Sequence, residues 1–422
     1  MKIETKCVHS GYQAQNGQPD ALPIYQATTY KYDSTEHIQA LFDLKESGYF
    51  YTRLANPTVG YVEEKIADLE GGVGAMITSA GQAATMAAIV NIAGNGDHVV
   101  STSTIYGGTF NLFNVSLRKL GIEFTFVDPE AGEDEIQAQI RPNTKAIFGE
   151  TIANPAISVL DIEKFANIAH KNGLPFIIDN TFATPVLCRP FEYGADIVLH
   201  STTKYMDGHA VQVGGVIVDS GNFDWAASDK FPGLTQPDDS YHGVVYTKDF
   251  GKAAYITKAR VQVMRDMGMA PTAEAAFLIN LGLETLALRI ERHCDNALKV
   301  AEYLQQHSKV KSISYPGLKS DLYYERAQKY LPKGASGVIS FCPKGGRQAA
   351  VTLQDSLKLA QLVVHVAMVR TCVLHPASAT HRQLTDSQLL EAGITPDLIR
   401  LSVGIENVDD IIADLEQALA KI

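Results

Sequence analysis

The sequence predicts an α/β protein with a large, mostly parallel sheet, followed by a smaller α+β domain. At 422 residues the chain is longer than one ordinary core requires, so two domains are expected. Between about residues 56 and 254, short apolar segments alternate with amphipathic helical segments. This alternation is typical of a parallel sheet with helical crossovers. After residue 254, long helical segments predominate and the strand-like segments become shorter.

The elements of the large domain follow from local patterns. The segment "NPTVGYVEEKIADLEGG" predicts a helix, because Asn56 can cap it, Pro57 suits its first position and a glycine pair ends it. Further helices are predicted in "GQAATMAAIVNIAG" and "DIEKFANIAHKNG". Strands are predicted, in chain order, in "HVVST", "KAIFGE", "LPFIID", "DIVLHS" and "GGVIVD".

The chain is therefore divided into an arm (1–55), a large α/β domain (56–254) and a C-terminal α+β domain (255–422). The arm is predicted to be irregular. It is too polar for a core and too aromatic for a disordered tail, so it is expected to pack on another surface. The last domain is predicted from long helical segments after residue 250, strands in "SGVISFCP" and "LIRLSVGI", and a closing amphipathic helix, "VDDIIADLEQALAKI".

Composition narrows the classes of function. A formal net charge of -11 argues against nucleic-acid and membrane-surface partners, which require basic patches. The five cysteines are widely spaced and form no C-x-x-C pair, which indicates free thiols in a reducing compartment and no metal site. No apolar run approaches the length of a membrane span, and the first residues lack the apolar core of a signal peptide. These observations favour a cytoplasmic protein that acts on a small molecule.

Polar residues at two strand ends are the first candidates for chemistry, because ligands of open α/β sheets bind beyond the carboxyl ends of the strands. Asp179 ends the apolar run of "LPFIID", where a carboxylate is costly without a partner. A helix cap is the alternative interpretation. Lys204 lies just after "DIVLHS", the segment that ends with Ser201, and Thr203 directly precedes the lysine. Taken alone, this lysine would be interpreted as a solvated charge in a turn.

Two further strand ends carry small or aromatic residues. In "TSAGQAATMAA", Gly81 and Gln82 open a helix whose free N–H groups can bind a phosphate, although a plain strand-to-helix turn is equally common. In "STSTIYGGTFNLF", Tyr106 is followed by two glycines and can stack on a flat ring, although such a tyrosine more often packs.

Together these four signals match pyridoxal phosphate. The lysine can form a Schiff base with the aldehyde, and the acid can pair with the pyridinium nitrogen, so that the ring accepts electrons. The aromatic residue supplies a platform, and the helix start supplies a phosphate cup. A nicotinamide cofactor would instead require G-x-G-x-x-G, and the sequence contains no such motif.

Segments along essentially the whole chain resemble the Cys/Met-metabolism family of pyridoxal-phosphate-dependent enzymes. They are "YFYTRLANPT", "SAGQAA", "YGGT", "IIDNTFATP", "HSTTKY" and "IRLSVGIE", in the family's order. The resemblance implies the type I, aspartate aminotransferase-like fold. Within the family, "SAGQAA", "HPASATHRQL" and "RLSVGIENVDDI" are most similar to the O-acetylhomoserine sulfhydrylase branch.

The resemblance also implies roles for single residues. Lys204 would carry the Schiff base and move protons on the substrate, Asp179 would pair with the ring nitrogen, and Tyr106 would stack on the ring. The implied phosphate cup consists of Gly81, Gln82, Ser201 and Thr203, completed by Tyr51 and Arg53 from the arm of a neighbouring subunit. Arg400 would bind the substrate α-carboxylate, and Asn154 would reach the cofactor ring oxygen or the same carboxylate. No role follows for Thr202.

The implied reaction is a γ-substitution on O-acetyl-L-homoserine by a homotetramer built from dimers with shared active sites. Sulfide would give L-homocysteine and acetate, whereas methanethiol would give L-methionine. Cystathionine γ-synthase and methionine or cystathionine γ-lyase remain alternatives, although Gly108 stands where methionine γ-lyases tend to carry cysteine. Met368 and Ala379 depart from the family pattern, so their effect on substrate specificity stays open. The sequence also does not decide between an acetyl and a succinyl ester. A non-catalytic protein and an NAD oxidoreductase are the alternatives from other classes.

Overall fold

A mostly parallel, seven-stranded sheet is the framework of the first half of the chain in the computed structural model, which describes residues 1–380, 382, 385–391 and 393–422. The strands are β1 (Gly74–Thr78), β2 (His98–Thr102), β3 (Glu123–Val127), β4 (Thr144–Glu150), β5 (Phe176–Asp179), β6 (Ile197–His200) and β7 (Gly215–Asp219). Their order is β1-β7-β6-β5-β4-β2-β3, and only β7 is antiparallel to its neighbours. The predicted mostly parallel sheet is confirmed.

A smaller five-stranded sheet follows in the second half of the chain. Its strands are β8 (Val310–Ser314), β9 (Val338–Pro343), β10 (Gln361–Leu362), β11 (Cys372–Leu374) and β12 (Ile399–Ser402). Their order is β10-β11-β12-β9-β8, and every pair except β10–β11 is antiparallel. The second sheet fits the predicted change to an α+β pattern, while the exact domain boundaries remain a prediction.

Helices cover both sheets. Before the second sheet they are α1 (Ile3–His9), α2 (Thr35–Phe42), α3 (Pro57–Glu70), α4 (Gly81–Val90), α5 (Gly107–Asn111), α6 (Glu133–Gln137), α7 (Ile162–Lys171), α8 (Thr184–Leu187), α9 (Pro232–Thr235), α10 (Tyr246–Asp249), α11 (Ala254–Lys258), α12 (Arg265–Met267), α13 (Ala273–Glu284) and α14 (Leu286–Gln306). Later helices are α15 (Tyr324–Tyr330), α16 (Gly346–Ser356), α17 (Asp386–Glu391) and α18 (Val408–Leu419). Two π-helical turns, Leu112–Leu117 and Ala259–Met264, continue α5 and α11.

Helix α3 forms for the reasons that its sequence suggests. The Asn56 side chain accepts hydrogen bonds from the N–H groups of Thr58 and Val59, and Pro57 occupies the first turn. Gly71, with φ of +83°, ends the helix in the left-handed conformation that glycine adopts at little cost. The apolar side of the helix, which includes Val62, is buried against the first sheet.

The prediction of an irregular arm is wrong in part, because the arm contains α1 and α2. Helix α1 packs on α3, where it buries Cys7, and the Lys6 amine contacts the Asp68 carboxylate at 2.7 Å. Helix α2 begins at the Ser34 cap, whose hydroxyl accepts the N–H of His37. Both helices have eight residues or fewer, too short for a clear helical period in the sequence. Strands β1 and β3 are also absent from the sequence prediction, although they are as long as the predicted β2.

The segment that follows Lys204 is held by helix α14 through Arg289, which is buried. Its guanidinium donates hydrogen bonds to the carbonyl oxygens of Tyr205 at 2.8 Å and Gly282 at 2.6 Å, and to Thr285 Oγ1 at 3.1 Å. The Tyr205 hydroxyl in turn accepts the N–H of Gly337, next to β9. The lysine-bearing loop is thus tied to the second half of the chain.

Thr202, to which the sequence assigned no role, is a packing residue. Its side chain is buried, and its carbonyl oxygen accepts hydrogen bonds from the Gln212 side-chain amide at 2.9 Å and the Asp207 N–H at 3.0 Å. A Cβ at Gly214 would lie 2.5 Å from Thr202 Oγ1, so that only glycine permits this approach. Thr202 therefore supports the loop that faces Lys204 without contributing to the site itself.

The described part of the chain contains no helix that is both long enough and apolar enough to span a membrane. All five cysteines are free thiols with buried side chains. The free thiols agree with the cysteine pattern predicted from the sequence.

We expect Arg289→Ala to destabilise the protein by about 2 kcal/mol or more, because it leaves buried carbonyl groups without donors. Denaturant unfolding of the cofactor-free protein measures this change. Arg292→Ala, an exposed position one turn further along α14, is the matched control and should lie within about 0.5 kcal/mol of the parent. Equal effects of the two substitutions would contradict the anchoring role of Arg289.

Candidate active site

One cavity of about 250 Å³ lies at the carboxyl ends of the parallel strands and brings together nine residues that the sequence singled out. They are Gly81, Gln82, Tyr106, Asn154, Asp179, Ser201, Thr203, Lys204 and Arg400. The carboxyl ends of parallel strands meet at one edge of the sheet, so loops that are distant in sequence converge there. The nine residues, which the sequence predicts to form one site, do lie around one cavity.

Lys204 lies in the turn that follows β6, where its N–H donates to the Ser201 carbonyl at 3.2 Å. Burial, and secondarily the charge of Arg400, lowers the pKa of the Lys204 amine to about 8. About a tenth of the amine is then uncharged at pH 7, far more than for an ordinary lysine, and the uncharged form is the one that attacks an aldehyde or accepts a proton.

Asp179 ends β5 and is held by the next loop. Its Oδ1 accepts the N–H of Thr181 at 2.9 Å, and Thr181 Oγ1 accepts the N–H of Ser201 at 2.9 Å. Burial raises the pKa of the Asp179 carboxyl, while the hydrogen bonds from Thr181 and the charge of His200 oppose this shift. Thr181 therefore links the loops that carry the acid and the lysine, a role that the sequence pattern did not reveal.

The start of α4 is suited to bind a phosphate. Its N-cap, Ala80, has no side chain that accepts a hydrogen bond, so N–H groups of the first turn remain open for a ligand. A Cβ at Gly81 would lie 2.9 Å from the Cβ of Ser201, so glycine allows the helix start to approach Ser201 closely. The Thr109 hydroxyl donates to Gln82 Oε1 at 3.3 Å and orients that side chain.

The hydroxyl of Thr203 is already engaged, since it donates to the Gly214 carbonyl at 3.2 Å and accepts the Gly214 N–H at 3.0 Å. Thr203 thus lines the cavity while it also fixes the loop opposite.

Tyr106 is half exposed at the start of α5. A Cβ at Gly108 would lie 2.4 Å from Tyr106 Cε1, so a glycine at position 108 leaves room for the tyrosine ring.

Arg400 comes from β12 of the second sheet and reaches the cavity from the opposite side. Its guanidinium donates to Asn154 Oδ1 at 3.2 Å and to the His365 carbonyl at 3.0 Å, and it is buried. Burial lowers the pKa of Arg400. The site therefore lies between the two sheets, with the predicted carboxylate-binding arginine oriented by two protein oxygens. The contribution of the His365 carbonyl has no signal in the sequence.

Tyr51 and Arg53 do not line this cavity. They line a separate surface cavity together with Tyr25 and Pro271, and the Arg53 guanidinium lies 5.2 Å from the centre of the Tyr51 ring. Within one chain they do not join the nine predicted residues that line the cavity of Lys204. Their predicted contribution to the phosphate cup of a neighbouring subunit stays a prediction.

Glu150 is a cavity residue that the sequence interpretation missed. It ends "KAIFGE" as Asp179 ends "LPFIID", so the same signal, an acid after a buried apolar run, was present. Val213, Val364 and Val366 add apolar lining from loops that carry no recognisable motif. Of the two residues that depart from the family pattern, Met368 is buried and Ala379 precedes Thr380, which lines the cavity.

The residues present fit pyridoxal phosphate. Within the described residues, no ion pair shorter than 4.0 Å involves Lys204, Arg400, Asp179 or Glu150, although all four line one cavity. Buried charged groups require compensation, and a ligand with an aldehyde, a basic ring nitrogen and a phosphate would supply it. Across the same described ranges, no three histidine, cysteine or acidic side chains are grouped closely enough to hold a metal ion.

A family model described as "Cys/Met metabolism PLP-dependent enzyme" matches residues 4–420. The chain belongs to this family. Its members bind pyridoxal phosphate, the cofactor that the cavity fits. The resemblance noted from the sequence is thereby confirmed, as is the expected cofactor.

Several relatives in this Cys/Met metabolism family match the whole chain. The chain is 46% identical to the homocysteine synthase of Schizosaccharomyces pombe, with 99% of this chain and 98% of the relative covered. It is 46% identical to the O-acetyl-L-homoserine sulfhydrylase of Corynebacterium glutamicum, covering 100% and 97%. Its fold matches a 2.35 Å crystal structure from Campylobacter jejuni that carries N'-pyridoxyl-lysine-5'-monophosphate, with a TM-score of 0.96, 38% identity and full coverage of both chains.

We expect cofactor-free protein to take up pyridoxal phosphate faster as the pH rises through about 8, and to level off above that value, because Lys204 reacts as the uncharged amine. Stopped-flow absorbance measures the rate. N-acetyl-lysine methyl amide in solution is the control and should show its midpoint near the ordinary value of about 10.4. A midpoint of the protein near that same value would contradict the buried environment of Lys204.

Proposed function

We propose that the chain catalyses the replacement of the acetate of O-acetyl-L-homoserine by sulfide, giving L-homocysteine and acetate. The observation that carries this proposal is full-length similarity, at 44–46% identity, to relatives named for this chemistry. The cavity supports it with the partly buried Lys204 amine, the partly buried Asp179 carboxyl and the buried Arg400 guanidinium around one space. In the reaction, the bond between the γ-carbon and oxygen breaks, acetate leaves with the electron pair, and hydrosulfide forms the new carbon–sulfur bond.

Pyridoxal phosphate, when bound, supplies the electron sink that stabilises negative charge on the substrate carbons. Lys204 and Asp179 would hold its reactive end and its ring nitrogen, and Tyr106 its face. The open N–H groups at the start of α4, with Gln82 and Ser201, would hold its phosphate. These assignments rest on the placement of the residues around the cavity.

The chain's own groups move the protons. Once the Lys204 amine is not bonded to the cofactor, its pKa of about 8 lets it take the α-proton of the substrate near neutral pH. The same amine can return this proton later in the reaction. The hydrogen bonds that Thr181 donates favour the carboxylate form of Asp179, against the burial that raises its pKa. Val366 is buried and adds apolar lining to the cavity, whereas Val213 and Val364 line it from exposed positions.

Arg400 would bind the α-carboxylate of the substrate. Asn154 Oδ1 and the His365 carbonyl each accept one N–H of its fork, which fixes the guanidinium and leaves further N–H groups for the substrate. A planar, bidentate pair of this kind orients the amino acid as well as binding it. The substrate class is therefore an α-amino acid whose side chain extends away from Arg400.

The lining favours an acetyl ester over a succinyl ester. An adjoining cavity of about 260 Å³ shares Tyr106, Asn154 and Arg400 with the first and extends along the backbone of Gly107 and Gly108. Among the described residues that line the two cavities, the cationic side chains are Lys204 and Arg400. A succinyl ester carries an additional carboxylate, which would then lack a cation of its own.

The proposal includes a homotetramer built from dimers with shared sites. Its support is the position of Tyr51 and Arg53, which are exposed on the arm and away from the cavity of their own chain. A cytoplasmic location is also proposed, since five free thiols suit a reducing compartment. Sedimentation and cell fractionation test these two points independently of activity.

We expect purified protein with pyridoxal phosphate to form homocysteine only when both O-acetyl-L-homoserine and sulfide are present. Parallel reactions replace sulfide by methanethiol, by L-cysteine or by buffer alone, and replace the acetyl ester by the succinyl ester. The products distinguish the sulfhydrylase from the synthase and lyase alternatives. Cystathionine as the main product would indicate a cystathionine γ-synthase. Formation of 2-oxobutyrate as the main product from methionine or cystathionine would indicate a γ-lyase and would contradict the proposal.

We expect Arg400→Lys to raise KM for O-acetyl-L-homoserine on the order of 10- to 100-fold, because lysine cannot make the bidentate pair. The effect on kcat should be smaller, since Lys204 and Asp179 are retained. Arg347→Lys, at an exposed position on α16, is the control and should leave both constants close to those of the parent. A change confined to kcat would contradict a carboxylate-binding role for Arg400.

A further inference from the structure

Two carboxyl groups, Glu150 and Asp179, end neighbouring strands and face the same cavity. Glu150 is the last residue of β4 and Asp179 the last residue of β5, and the two are paired in the register of the parallel ladder. Both line the cavity beside Lys204, and the Glu150 side chain is buried. The proposed function uses Asp179 and leaves Glu150 without a role.

Glu150 is held by backbone donors from two loops of the site. Its Oε1 accepts the N–H of Tyr106 at 2.6 Å, and its carboxyl also accepts a hydrogen bond from the backbone of Asn154. Tyr106 begins α5, and Asn154 follows β4 and orients Arg400. One carboxyl group therefore fixes the tyrosine platform and the asparagine that contacts the carboxylate-binding arginine.

The surroundings of the two acids differ. Burial, and then the neighbouring Asp179, raises the pKa of Glu150 well above its ordinary value, against the two backbone donors. Burial also raises the pKa of Asp179, but side-chain and backbone hydrogen bonds from Thr181 and the charge of His200 stabilise its anion. Lys204 and Arg400 also face the cavity, yet within the described residues neither forms an ion pair with Glu150 within 4.0 Å.

We propose that Glu150 is an uncharged positioning residue, which holds Tyr106 and Asn154 through their N–H groups and leaves Asp179 as the single carboxylate of the site. Two adjacent anions in a buried cavity are unfavourable, and a proton on Glu150 removes this conflict. A protonated carboxyl keeps lone pairs that can accept both N–H groups. Glu150 acts through Tyr106, Asn154 and Asp179, so the inference rests on the proposed function of those residues.

Infrared spectroscopy of the intact protein tests the protonation directly. We expect a protonated-carboxyl stretching band at neutral pH that shifts when glutamate side-chain carboxyls carry carbon-13 and stays in place when aspartate carries the label. The band is taken from the difference between the parent and Glu150→Gln, because burial also raises the pKa of Asp219 and Glu63. A difference band that shifts with labelled aspartate, or no difference band, would overturn the proposal. The measurement is made with and without cofactor and needs no substrate. The expected band can therefore be absent while homocysteine is formed, and it can be present while no homocysteine is formed.

Substitutions test the positioning role. Glu150→Gln should abolish the band and retain most of kcat/KM, because the amide oxygen can accept the Tyr106 N–H in place of the carboxyl oxygen. Glu150→Ala should lower kcat/KM about 10-fold or more, because the backbone N–H groups of Tyr106 and Asn154 lose their acceptor. The cofactor-free Ala variant should also bind pyridoxal phosphate more weakly in equilibrium titrations. Equal losses in Gln and Ala variants that both remain folded by circular dichroism would overturn the proposal. Glu135→Gln, an exposed position, is the control and should leave the band unchanged.

Discussion

Two cations and two carboxyl groups share one largely buried cavity at the carboxyl ends of the parallel strands. Burial lowers the pKa of Lys204 and Arg400 and raises the pKa of Asp179 and Glu150, so each charge is disfavoured where it stands. A protein tolerates such an arrangement when a ligand compensates the charges. Pyridoxal phosphate has the complementary groups, and the requirement to hold it explains why these side chains converge.

Burial alone does not identify the reactive lysine. Lys258 is also buried, and burial lowers its pKa to about 8 as well. Its amine, however, donates to the Asn91 carbonyl at 2.7 Å and lies away from the cavity residues. Lys204 combines the lowered pKa with open space and with Arg400 nearby. Lys204 also lies just after the end of β6, and Arg289 anchors the loop that follows it. These two features distinguish the reactive amine of Lys204 from the structural amine of Lys258.

The main features could be predicted from the sequence wherever a local pattern carries them. The cap and the glycine of α3, and the acid after the apolar run at Asp179, are signals of this kind. Glu150 carries the same signal as Asp179, although "KAIFGE" on its own predicts only a strand. The carbonyl of His365 that orients Arg400 and the hydroxyl of Thr181 that joins two loops depend on the folded backbone. No spacing in the sequence reports such contacts.

The most direct test of the account is the chemical identity of the lysine that holds the cofactor. Protein loaded with pyridoxal phosphate is reduced with borohydride, digested and mapped by mass spectrometry. We predict that the pyridoxyl group is found on the peptide that contains Lys204 and that the Lys258 peptide is unmodified. Attachment to Lys258 or to any other lysine, with Lys204 unmodified, would contradict it.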